Sequence, residues 1–238
     1  MMKRSKRYQE IIKRVDRERF YPLAEGIKLL KECATAKFGE TAEAVFRLGV
    51  DPKKNEHRVR GTVTLPHGTG KSVKVLAFAK GDKLREAQEA GADYAGGEDL
   101  VKKIEEGWMD FDRVVATPDM MSVVSKLGKV LGPRGLMPSP KAGTVTADIG
   151  TAVKELKRGR LEFRLDEYGN VHSLFGKCSF TPEQLQENLL ALTTAVLEEK
   201  PADVKGRYLE AVTITSTMGP GIKLDSDELQ KLVAARKL

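Results

Sequence analysis

The sequence predicts an α/β protein of two domains. A discontinuous outer α+β domain, an antiparallel sheet with helices, is expected over residues 1–66 and 159–238, with a Rossmann-like parallel α/β domain inserted at 67–158. Three observations lead there. The chain has 238 residues, too many for one small domain and enough for two of ordinary size. From Val73 to Arg158 short apolar runs alternate with amphipathic stretches, as in stacked βαβ units. On both sides of that segment apolar residues recur at every second position, the pattern of half-buried antiparallel strands.

Along the chain, Ala42, Ala44, Phe46, Leu48 and Val50 alternate with Thr41, Glu43, Val45, Arg47 and Gly49, which predicts the first of those strands. Val73 to Ala79 reads as a parallel strand, Asp82 to Ala90 as a helix, and Asp93 to Ala95 as a short strand. A helix from Glu98 to Glu106 and a strand from Phe111 to Thr117, ended by Pro118, follow. One helix is expected from Asp119 to about Leu131, then a Gly/Pro loop, a short strand at Thr144 to Thr146 and a helix from Ile149 to Arg158. Leu161, Phe163 and Leu165 alternate with Arg160, Glu162 and Arg164, and a Tyr168-Gly169-Asn170 turn leads to a second strand at Val171 to Phe175. Pro182 starts a helix whose Leu185, Leu189, Leu192 and Val196 face one side of that sheet. Tyr208 to Thr217, rich in β-branched residues, supplies another strand, and the tail from Asp225 reads as a helix with a basic end. The chain is expected to cross between domains at Pro66-His67-Gly68 and Lys157-Arg158-Gly159.

Forty per cent of residues are apolar and the net charge is +7, which describes a basic, core-forming chain and excludes a disordered or collagen-like one. The most apolar runs, Val73 to Ala79 and Leu189 to Leu197, are far shorter than the roughly 18 residues of a bilayer span, so no membrane partner is expected. Met1 to Phe20 carries eight basic and three acidic residues and no apolar segment, so no secretory signal is expected there. Cys33 and Cys178 stand outside any C-x-x-C pair and read as reduced bystander thiols.

Several motifs imitate chemistry. Gly70-Lys71-Ser72 resembles the end of a phosphate-binding loop, but the first glycine of that motif would fall at Leu65 and a strand follows in place of the helix it needs. No strand is followed by G-x-G-x-x-G with its acidic partner. His57, His67 and His172 fall in three separate segments without metal-ligand spacing, and no nucleophile elbow or paired carboxylates stand out. Neither a cofactor nor a metal is expected, and nothing in the sequence favours an enzyme.

Other features suit a polyanion. Ser122 to Arg160 holds eight basic residues against two acidic ones, and with Met1 to Phe20 it concentrates the positive charge of the chain. Such clusters attract a phosphate backbone or merely solvate a surface. Lys126, Lys129, Arg134 and Lys141 are candidate secondary RNA contacts, the last two in a loop, Leu131 to Gly143, stiffened by three prolines and bared by three glycines. Ser216-Thr217-Met218-Gly219-Pro220-Gly221 offers hydroxyls, a thioether and backbone amides to a structured RNA, or simply ends a strand. Phe38 could stack on a base or tuck under the preceding helix.

Taken together these segments resemble the L-one family of bacterial large-subunit ribosomal proteins, the proteins of the mobile E-site stalk. The resemblance runs through Thr35-Ala36-Lys37-Phe38, Val59-Arg60-Gly61-Thr62-Val63, Leu65-Pro66-His67-Gly68, Gly91-Ala92-Asp93-Tyr94 and Ala116-Thr117-Pro118-Asp119. It continues in the loop from Leu131 to Val145 and ends in Thr217-Met218-Gly219-Pro220. It implies a structural, non-enzymatic constituent of the large ribosomal subunit, monomeric within the cytoplasmic ribosome, whose outer domain clamps stalk rRNA. It further implies contact with E-site tRNA to assist deacylated tRNA release, and translational repression through the protein's own operon mRNA. The RNA-binding residues it implies are Lys37, Phe38, Glu40, Thr41, Arg164, His172, Lys177, Ser179, Ser216, Thr217, Met218 and Gly219. The alternatives are a nucleotide- or small-molecule-dependent enzyme using the crevice of the inserted domain, and a nucleic-acid chaperone held by charge alone.

Overall fold

The computed structural model describes residues 4–236, without the side chains of Asn55 and Lys141. In chain order these residues form α1 (Lys6–Ile12), α2 (Leu23–Cys33), β1 (Thr41–Leu48), β2 (Arg60–Thr64), β3 (Val75–Phe78), α3 (Asp82–Glu89) and β4 (Tyr94–Gly96). Next come α4 (Glu98–Glu105), β5 (Arg113–Ala116), α5 (Met121–Val124), α6 (Gly128–Leu131) and α7 (Ile149–Lys157). The chain then runs through β6 (Arg160–Arg164), β7 (Asn170–Lys177), α8 (Pro182–Glu198), β8 (Leu209–Ser216), β9 (Ile222–Leu224) and α9 (Ser226–Arg236). Two compact units result, dividing between Gly70 and Lys71 and between Arg160 and Leu161.

In the discontinuous unit the main sheet is antiparallel, with strand order β7-β1-β8-β9. The period of two in β1 sends Ala42, Ala44, Phe46 and Leu48 into the core, where they meet Ile27 and Leu30 of α2 and Leu185, Leu189, Leu192 and Val196 of α8. A capping box starts α8: the Thr181 hydroxyl accepts from the Gln184 amide, the Gln184 side chain accepts from the Thr181 amide, and Pro182 occupies the first turn. The tail helix α9 completes this core with Leu229 and Val233, and its Glu228 accepts from the Leu23 amide at the start of α2.

Three expectations change here. The strands on either side of the Tyr168-Gly169-Asn170 turn do not form one hairpin ladder: β6 pairs with β2 in a separate two-stranded sheet, and the turn itself is spanned by a single Leu165–Val171 bridge and by bonds between Asp166 and Asn170. The first crossing lies later than Pro66–Gly68, because buried Asn188 of α8 accepts from the His67 amide and donates to the Gly68 and Phe175 carbonyls. Strands β2 and β9 are additions that three to five residues of weak alternation did not announce.

In the inserted unit β3 lies between β4 and β5, all parallel. Leu76, Phe78, Val114 and Ala116 pack one face against α4, and Val75, Ala77 and Val115 pack the other against Ala87 of α3 and Val153 and Leu156 of α7. Burial on both faces is why these strands read as unbroken apolar runs. The single helix expected from Asp119 to Leu131 is instead a chain of short turns, three-residue 3-10 turns alternating with α5 and α6. Its apolar period survives, with Met120, Val124, Leu127 and Leu131 all buried, but regularity does not. The Ser125 hydroxyl turns back to the Ser122 carbonyl, and Gly128 and the β-branched Val123 and Val124 favour helix weakly. The strand expected at Thr144–Thr146 reduces to one parallel bridge between Ala116 and Val145.

Candidate nucleic-acid interface

At one end of the main sheet, β1 opens at Thr41 opposite Lys177 of β7, and Ala42 faces Ser216, the last residue of β8. Two loops leave the sheet there, 35–40 before β1 and 217–219 after β8. Their cross-links explain the local conformation. The Thr41 amide donates to Thr217 Oγ1 (3.0 Å) and the Thr217 amide to the Thr41 carbonyl (3.1 Å). The Lys177 ammonium donates to Thr41 Oγ1 (2.9 Å) and the Gly39 carbonyl (3.3 Å), and the Cys178 amide donates to the Glu40 carbonyl.

Glu40 is the hub of this arrangement. It is only 3% exposed, and its carboxylate accepts from the Ala36 amide (2.8 Å), the Ser216 hydroxyl (2.8 Å) and the Met218 amide (2.9 Å). Burial pushes its carboxyl up, but the two amides, the hydroxyl and the Arg7 guanidinium outweigh burial and hold it below its ordinary value of 4.5. A charged Glu40 therefore ties one loop to the other across 178 residues of sequence separation. Burial, reinforced by that carboxylate, pushes the nearby Cys178 thiol up to about 11, so it stands protonated and unreactive.

This bracing presents side chains outward. Phe38 is 54% exposed and Met218 49% exposed, both large apolar groups held in water, with Lys37 and Thr217 exposed beside them in sequence and Ser179 exposed just beyond the end of β7. The ring of Phe38 is thus free to stack, and does not tuck beneath α2. Ser216 is buried against Glu40, and a Cβ at Gly219 would press into the Ser216 hydroxyl. Gly219→Ala should therefore pull that hydroxyl off Glu40 and weaken RNA binding by about five- to tenfold, since one hydrogen bond contributes on the order of 1 kcal/mol. A direct binding titration against wild type checks it.

Of the twelve residues expected at an RNA surface, the structure gathers ten at this end. Among them Glu40 and Ser216 face inward. His172 lies five residues before Lys177 on β7, roughly 17 Å away at about 3.4 Å per residue, with Asp166 beside it, and Arg164 projects from the separate β2–β6 sheet. Sequence reading missed Arg7, whose guanidinium reaches the Thr35 hydroxyl and the Met218 carbonyl, because nothing local distinguishes it from the other cations of the first twenty residues.

In the inserted unit Lys126, Lys129 and Arg134 are all exposed, and the side chain of Lys141 lies outside the described residues. The Gly/Pro loop is two successive turns, closed by the Leu136 amide on the Leu131 carbonyl and the Thr144 amide on the Ser139 carbonyl. Lys71 pairs with Asp112 in place of a phosphate, and strand β3 follows it, so no phosphate-binding loop is formed. Among the described residues no cluster of three or more His, Cys, Asp or Glu is placed to hold a metal, and no helix is long and apolar enough to cross a membrane. Compared with known proteins, residues 30–220 match the model of the Ribosomal protein L1p/L10e family.

Proposed function

The chain belongs to the ribosomal protein L1p/L10e family, and from that premise we propose that its discontinuous unit grips stalk rRNA through the braced loops carrying Phe38 and Met218. A ribosomal role and rRNA binding come with the family. The observation that carries the site is the pair of exposed apolar side chains on loops fixed by a buried carboxylate. Water-exposed apolar groups held rigid suit ribose faces and splayed bases, and their backbone is immobilised before RNA arrives.

Roles divide accordingly. Phe38, Thr217 and Met218 touch RNA, with Lys37 and Ser179 at the margin; Glu40, Thr41, Lys177, Ser216 and Gly219 shape the loops; His172 and Arg164 reach RNA that continues past this end of the sheet. Basic segments supply salt-dependent attraction, and the neutral contacts choose the RNA shape. In the same reading the stalk contacts E-site tRNA and assists its release, the free protein represses its own operon mRNA through the same surface, and Lys126, Lys129 and Arg134 make secondary RNA contacts. The enzyme alternative gains no support from the family.

The test is binding of a stalk rRNA fragment and of an unrelated structured RNA across a salt series. Binding of the stalk fragment should survive salt that strips the unrelated RNA. Affinities that fall together would reduce the protein to a charge-held polyanion binder. Neutralising Lys126 and Lys129 together should lower stalk affinity less than Met218→Asp does.

A further inference from the structure

We infer that Arg7 of α1 is a positioning residue of the RNA surface, setting the spacing between the loop that carries Phe38 and the loop that carries Met218. The inference rests on the rRNA-binding reading above.

One guanidinium reaches both loops. Its Nη1 donates to Thr35 Oγ1 (3.0 Å) and its Nη2 to the Met218 carbonyl (3.1 Å), partners 28 and 211 residues away in sequence. Glu40 joins the same two loops with the opposite charge, accepting from the amides of Ala36 and Met218. Residue Met218 is consequently held at both ends of its own backbone, its amide by a carboxylate and its carbonyl by a guanidinium, while its side chain stays in water. The attraction between Arg7 and Glu40 also helps keep that carboxylate ionised.

The placement of Arg7 is built into the fold. Helix α1 is capped by the Ser5 hydroxyl, which accepts from the Tyr8 amide, and it is anchored by Ile11, with Val15 just beyond it, in the core of the discontinuous unit. The spacing of four residues from Arg7 to Ile11 puts the guanidinium one turn from that anchor. The guanidinium meets its two acceptors with two separate nitrogens of one rigid planar fork, whereas a shorter-reaching ammonium would have to meet both from a single atom, so lysine at this position should not substitute. Helix α1 lies before residues 30–220, the stretch that matches the family, and Arg7 reaches forward to two positions inside it.

The test uses the full chain with methyl-labelled methionine, comparing wild type, Arg7→Gln and Arg7→Lys after circular dichroism confirms that each is folded. In the free protein the Met218 methyl resonance, assigned through Met218→Leu, should shift and narrow in both variants. Affinity for the stalk rRNA fragment should fall about tenfold in both, with the salt dependence and the binding of an unrelated RNA unchanged. An unmoved Met218 resonance overturns the inference. So does a loss shared equally with the unrelated RNA and a salt slope smaller by about one, because that marks a phosphate contact. A shifted resonance with undiminished stalk affinity upholds the clamp and overturns the assignment of this surface to rRNA.

Discussion

Met218→Asp is expected to weaken binding of the stalk rRNA fragment by at least about a hundredfold, some 2.7 kcal/mol, with the fold intact. The fold should survive because only the backbone of Met218 takes part in the protein's own bonding, through Glu40 and Arg7, and its side chain is half exposed. Binding should not survive, because the substitution removes a thioether suited to ribose and base surfaces and places an anion against a phosphate-dense partner. Met218→Leu, which keeps an apolar side chain of similar size, should lose far less. The measurement is a binding titration beside circular dichroism, and near wild-type affinity with unchanged dichroism would remove Met218 from the interface.

The second large effect belongs to Glu40. Glu40→Ala withdraws a charged acceptor from the Ser216 hydroxyl and from two amides, and should cost about 3 kcal/mol of stability in denaturant unfolding at neutral pH. RNA affinity should drop about thirtyfold as the loops lose their common anchor, with both effects read on one preparation. The sign of the pH dependence follows from the depressed carboxyl. Its contribution is complete above the ordinary value of 4.5 and is lost as pH falls through the lower folded-state value. Wild type and Glu40→Ala should therefore converge in stability on acidification, and a gap that stays constant from neutral pH down to pH 3 would show that the charge of Glu40 is not what braces the loops.

What could be read from the sequence and what could not divide along a physical line. Alternation from Ala42 to Leu48 and the unbroken run at Val75 to Phe78 follow from which faces are buried, so period alone located β1 and β3 and separated an antiparallel from a parallel sheet. The period of Met120, Val124, Leu127 and Leu131 located a buried face equally well, but a hydroxyl bonding back to the backbone decides whether that face is one helix or several turns. Pairing is less legible still. Strand β6 has the alternation of a hairpin partner for β7 and joins β2 instead, a choice made by contacts a hundred residues apart. At the candidate site, Phe38 and Thr217-Met218-Gly219 stood out by type and by resemblance. The inward turn of Glu40 did not, since a carboxylate before a strand gives no sign that its acceptors serve residues 176 and 178 positions later. The tail helix, to which the sequence assigned no role, closes the core and caps α2.

The pairing of residues 35–41 with residues 216–218 also sets a clock on biosynthesis. The inserted unit is continuous in the chain and can fold while translation is still under way, whereas every bond from Glu40 or Thr41 to Ser216, Thr217 or Met218 waits for the last strands to leave the ribosome. A chain that ends before Ser216 lacks these cross-links altogether. If these loops grip rRNA as proposed, competence to bind it arises only once residues 216–218 have been made, so that products cut short before them cannot occupy the binding site in their place.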